Sequence, residues 1–67
     1  MTHRYTIHPI ADEHMTTYHD AVAEIDDPSA DSAIITLEAN RAYYGVAIVD
    51  HVTGLIDWGF GFGLDRN

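Results

Sequence analysis

Residues 55–64 read LIDWGFGFGL, and their two-residue alternation constrains the fold more than any other feature of the chain. Ile56, Trp58, Phe60, Phe62 and Leu64 share one parity, and Asp57, Gly59, Gly61 and Gly63 share the other. Period two is the strand period, so this pattern predicts a strand with large side chains on one face and nearly bare backbone on the other. Residues 43–49 before it are apolar on both parities, which fits a central strand buried on both sides. Between the two runs lies Asp50-His51-Val52-Thr53-Gly54. Asp50 can cap a turn there and Gly54 can take a positive φ, so the pair of runs predicts a β-hairpin. Three glycines on one parity are entropically costly, so something should use the bare face. Tyrosine rings from the neighbouring strand, a closely approaching backbone or a partner are the candidates, in that order. The Gly-Phe-Gly-Phe-Gly run is no dinucleotide fingerprint, because it lacks the βαβ setting such a loop needs.

With 67 residues the chain predicts one domain, 1–67, whose core must come from a few large side chains. A chain of about 60 residues buries only roughly 60% of the surface its unfolded form exposes. No cysteine is present to staple the fold, and no basic-then-apolar leader stands at the start. The longest apolar run falls far short of the roughly 20 residues of a membrane helix. A cytoplasmic location is the simplest expectation.

Charge is the unusual quantity. Eleven acids face three arginines and no lysine, a formal net charge of −8 at 46% hydrophobic content. Such a field repels nucleic acid and anionic membranes and attracts basic partners, although solubility in a salty medium would also account for it. The hydrophobic content excludes a disordered acidic tail.

Along the chain, Tyr5 and Ile7 alternate with Arg4, Thr6 and His8 and predict a strand that Pro9 closes. Over 11–26, Met15, Tyr18, Val22 and Ile25 recur at helical spacing and predict the one amphipathic helix, with Asp12 as its N-cap and Pro28 beyond its end. On the opposite side of that helix Glu13, Asp20, Glu24 and Asp27 form one acidic line with no basic residue three or four positions away. Residues 26–32 (DDPSADS) read as a solvated loop. Their aspartates lack the glycine and closing glutamate of a calcium loop. Residues 32–39 (SAIITLEA) are ambiguous. A helix starting at Asp31 would spread Ile34, Ile35 and Leu37 over a wide arc, whereas alternation and β-branching favour a strand. Asn40-Arg41 then serves as a tight turn.

These elements sum to an α+β domain of order β-α-β-β-β. Its C-terminal three strands form an antiparallel meander, and the amphipathic helix packs on the sheet's aromatic face. The first strand is expected at either edge. The partly uncovered second face predicts a homodimer.

Chemistry is sparse. The five histidines (His3, His8, His14, His19, His51) match no zinc spacing, and no cysteine or well-placed serine offers a nucleophile. The expectation is a protein that is not an enzyme and needs neither metal nor cofactor. One reading is an inhibitor whose carboxylates stand in for backbone phosphates and fill a basic, nucleic-acid-binding groove of a partner protein. Small acidic phage inhibitors of restriction or CRISPR nucleases follow the same logic. That reading places the partner contact on Asp12, Glu13, Asp20, Glu24, Asp27 and Asp31, with no direct binding of nucleic acid or membrane. The alternative is a sheet-mediated oligomerisation or interaction module using Tyr43, Trp58, Gly59 and Gly61. A third reading is a pH response, since protonating all five histidines would change the formal charge substantially.

Overall fold

The computed structural model describes residues 3–60 of the chain, with the side chain of Phe60 left out. Four strands form one antiparallel sheet: β1 (Tyr5–Pro9), β2 (Ala23–Ile25), β3 (Val46–Asp50) and β4 (Ile56–Phe60), in the order β2-β1-β3-β4. One helix, α1 (Ser32–Arg41), links the two halves and lies over β1 and β3. The α+β class with a single helix on an antiparallel sheet therefore stands. The element order is β-β-α-β-β.

Two segments exchange the roles their sequence patterns assign. Residues 32–39, expected as a strand, belong to α1. Asp31 is the N-cap residue, and its carbonyl accepts from the amides of Ile34 (3.0 Å) and Ile35 (3.3 Å). The wide apolar arc that argued against a helix is real: only Ile35 and Ala39, four residues apart, are buried. Ile34 (40% exposed) and Leu37 (50%) face outward. Arg41 sits in the last turn, where its charge suits the helix dipole. Asn40-Arg41 is thus helical, not a turn.

Residues 11–26, expected as the helix, form a turn, an irregular arm and β2. The Asp12 carboxylate explains why. Its Oδ1 accepts from the amides of Thr16 and Thr17, both at 2.9 Å, and its Oδ2 from the Thr16 hydroxyl at 2.7 Å. Short polar side chains that bind nearby backbone compete with helix formation in this way. Met15 completes the turn at a φ of 56°, which no helix continues through. Ile25 of the proposed stripe is buried, while Met15, Tyr18 and Val22 are exposed to about the same degree as Ile34 and Leu37.

The core follows the register. Ile7 pairs with Ile48 and with Ala23, and Pro9 with Val46. Ile7, Ile25, Val46 and Ile48 project to one face and close on Ile35 and Ala39 of α1. β3 is central, as expected, and β1 is also interior rather than at an edge. Only β3 and β4 form a hairpin, so the C-terminal meander is two-stranded. Its turn matches the sequence expectation: Asp50 Oδ1 accepts from the amides of Val52 (2.9 Å) and Thr53 (3.4 Å), and Gly54 has a φ of 80°.

β4 departs from its alternation. Val46 pairs with Phe60 and Ala47 with Trp58, which leaves Gly59 as the extra residue of a bulge at a φ of 78°. The single-parity aromatic face therefore does not run unbroken through the strand. Trp58, opposite Ala47, lies on the face away from α1, so the helix does not pack on the aromatic side. Gly59 is covered by neither tyrosine nor backbone. The Met15 thioether fills its open side, with Sδ 3.1 Å from where a Cβ would stand. Gly61 and Gly63 lie outside the described residues.

Candidate functional site

The first candidate is an acidic sheet edge. The chain of 17–25 returns antiparallel to β1, with the Ala11 amide on the Thr17 carbonyl, the His19 amide on the Pro9 carbonyl and the Val22 amide on the Ile7 carbonyl, each at 2.8–2.9 Å. The chain advances three positions from His19 to Val22 where β1 advances two, so Asp20-Ala21 hold an extra residue, a bulge. Among the described residues no strand pairs with the outer side of β2. Asp20, Glu24, Asp26 and Asp27 are all exposed along this edge. The His3 imidazole stands beside two of them, 3.1 Å from Asp26 and 3.8 Å from Glu24. The two described arginines are engaged elsewhere. Arg4 forks onto both oxygens of Asp50 at 3.0 Å, and Arg41 lies 3.5 Å from Glu38.

The single acidic line on a helix does not exist, because residues 11–26 are not a helix. Glu13 stands apart in the turn beside His14 at 3.5 Å. Of the line only Glu24 lies in β2; Asp20 precedes the strand and Asp27 follows it, both exposed. Asp27 also holds the following turn through the Ser29 amide at 3.0 Å. Asp12 and Asp31 organise the first turn and the start of α1. Hydrogen bonds from the Thr16 hydroxyl and then the Thr17 amide hold the Asp12 carboxyl well below the usual carboxylate range. Asp50 is held down similarly, first by Arg4, and the same contact raises the Arg4 guanidinium. Asp26 escaped the sequence reading, because on a helix it falls off the line of the other acids. It lies directly after β2, where His3 meets both it and Glu24.

The second candidate is the sheet face away from α1. The arm of 11–22 crosses it. The Tyr18 ring stands 4.5 Å from His8 and 5.5 Å from Trp58, and Tyr18 bridges to Ile10. Trp58 and Gly59 are thus taken up by Tyr18 and Met15 of the same chain. Tyr43 is 83% exposed and lines a cleft of about 490 Å³ with Arg41, Tyr44 and Pro9 at the C-terminal end of α1.

Among the described residues no group of three or more histidine, aspartate or glutamate side chains is placed to hold a metal ion, and no helix is long and apolar enough to cross a membrane. Comparison with protein-family models, with curated proteins and with solved structures finds no match.

Proposed function

We propose that the protein acts without turnover, as a small acidic binder that lays the β2 edge against a basic, nucleic-acid-binding surface of a cytoplasmic partner protein. The observation that carries this reading is segregation. Glu24 on β2 and Asp26 just beyond it stand exposed beside His3, with Asp20 and Asp27 exposed on either side in the chain, while Arg4 and Arg41 are paired with Asp50 and Glu38. Glu24 and Asp26 are two positions apart, and His3 reaches both. Arginine and lysine side chains that grip phosphates can grip such carboxylates as charge-assisted pairs. The net charge of −8 steers the encounter over a longer range. Charges on an edge strand also prevent edge-to-edge aggregation, a role that requires no partner and that the following experiment separates.

The test is capture from cell lysate on immobilised protein at about 0.1 M and about 0.5 M salt, where screening shortens the reach of exposed charges. Nucleic-acid-binding proteins should be held at low salt only and displaced by added duplex DNA. Capture that resists both salt and DNA would overturn the reading.

A second reading, self-association, is favoured by the outward Ile34 and Leu37 of α1. It predicts a concentration-dependent mass in sedimentation, lost in Leu37→Glu.

A further inference from the structure

The cleft at the C-terminal end of α1 is apolar over most of its lining but holds one poorly paired carboxylate. Its volume of about 490 Å³ falls within the range of roughly 300–1,000 Å³ that small-molecule sites occupy. Pro9, Ile10 and Val22 line it from β1 and the arm, and Ala42, Tyr43 and Tyr44 from the connection between α1 and β3. Val22 is 50% exposed and Tyr43 is 83% exposed, so this lining still presents apolar surface to water. Covering that surface is favourable for any occupant with a hydrocarbon body.

The polar residues of the cleft select the charge of such an occupant. The Glu38 side chain is only 14% exposed, so water reaches it poorly. Among the described residues its one partner is Arg41, whose Nη1 stands 3.5 Å from Oε2, at the outer limit of a hydrogen bond. A carboxylate offers several acceptor sites, and a short bond from a cationic donor is much stronger than this long contact. The C-terminus of α1 adds the negative end of the helix dipole. The Tyr43 and Tyr44 rings stand edge to face, with centroids 4.7 Å apart and planes at 86°, and the faces of such rings attract cations. The net charge of −8 draws cations from further away and repels anions. Arg41 and His19 are the remaining polar residues of the lining. The Arg41 side chain is already 68% exposed, so it can release Glu38 to a better donor and stay in water.

We propose that this cleft binds a free organic ammonium ion with an apolar body. The ammonium group donates to Glu38 and lies against a tyrosine ring. The body covers Pro9, Ile10 and Val22. Arg41 competes with the ligand for Glu38 and does not hold it. The acidic β2 edge takes no part, so this site stands or falls separately from the partner surface proposed above.

The probe is phenethylammonium, compared with phenethyl alcohol and hydrocinnamate, which carry the same ring with no charge and with a negative charge. Binding is followed by amide shifts in nitrogen-15 spectra at about 0.15 M salt, where diffuse attraction to exposed carboxylates is screened. The ammonium should bind saturably, with its largest shifts in residues 9–11 and 38–44, and at least about tenfold more tightly than either control. Glu38→Gln should weaken it by at least about tenfold. Asp57→Asn removes an equal charge from a different cleft and should change it by less than about twofold. Arg41→Gln should tighten binding, because the competing cation is gone. Tyr43→Ala should weaken it, and this exposed position decides the matter even if Glu38→Gln fails to fold. A blocked lysine amide, whose stem fills less of the cleft, should bind more weakly than the probe. Shifts that do not saturate or that spread over the acidic surface would overturn the proposal. So would equal binding of the alcohol, equal losses in Glu38→Gln and Asp57→Asn, weaker binding in Arg41→Gln, unchanged binding in Tyr43→Ala, or tighter binding of the blocked lysine.

Discussion

On one face of the sheet α1 lies over Ile7, Ile25, Val46 and Ile48; on the other the arm of 11–22 lies over His8, Trp58 and Gly59. The first face is closed by aliphatic side chains with no polar atom among them. The second is closed by a thioether, two aromatic rings and the hydrogen bonds that join Thr6 to His8 and His51, and its covering residues remain partly wet. Burial in the first case is proportional to area and insensitive to detail. In the second it depends on donor–acceptor pairing. One sheet thus has an aliphatic side and a side with a partly polar cover, and each can be perturbed separately.

The largest effect is expected on the helix side. Ile35→Ala and Ile7→Ala each remove a fully buried side chain and should cost about 2–5 kcal/mol in chemical denaturation. If Met15→Ala costs as much, the contrast between faces fails. On the arm side, Thr6→Val removes the hydroxyl between two imidazoles and should cost about 1–3 kcal/mol. Gly59→Ala imposes a side chain at a φ of 78° against the Met15 sulfur, at about 1–2 kcal/mol. Gly54→Ala, at a φ of 80° but with open space around it, should cost less, and the difference isolates the Met15 contact. The smallest effect is that of acid on the two hydrogen-bonded turn carboxylates. Asp12 and Asp50 both have folded values below the ordinary one. Their contribution is therefore complete above the unfolded value of about 3.9 and is lost as pH falls below it. Thermal melts of Asp12→Asn and Asp50→Asn should lie below the wild type at pH 7 and approach it at about pH 2.5.

Much of the sheet was legible in the sequence, because β1, β3 and the Asp50–Gly54 turn each carry a local signal that tertiary packing reinforces. The helix was not. Residues 11–26 have helical spacing at four apolar positions, but Asp12, Thr16 and Thr17 prefer to bind one another's backbone, and the turn they form wins. Residues 32–39 alternate like a strand, yet the core has room for only Ile35 and Ala39, so the remaining apolar positions stay outside. Of the six acids singled out, only Glu24 lies in β2, with Asp20 before it and Asp27 after it in the chain. The Asp12 carboxylate holds a turn, which no charge count could reveal, and Asp31 caps α1 through its backbone carbonyl alone. The pairing of Thr6 with His51 spans 45 positions and carries no local signal.

The central claim is that the place of the charge matters, not its amount. It is tested most directly by comparing two double variants of equal net charge, Glu24→Gln with Asp26→Asn on the β2 edge, and Glu13→Gln with Asp57→Asn away from it. Each is immobilised and its low-salt, DNA-displaceable capture of nucleic-acid-binding proteins is measured against the wild type. The edge pair should lose capture by at least about tenfold, the worth of about 1.4 kcal/mol, while the other pair retains it. Equal losses in both would show that capture follows total charge alone and would contradict a binding edge.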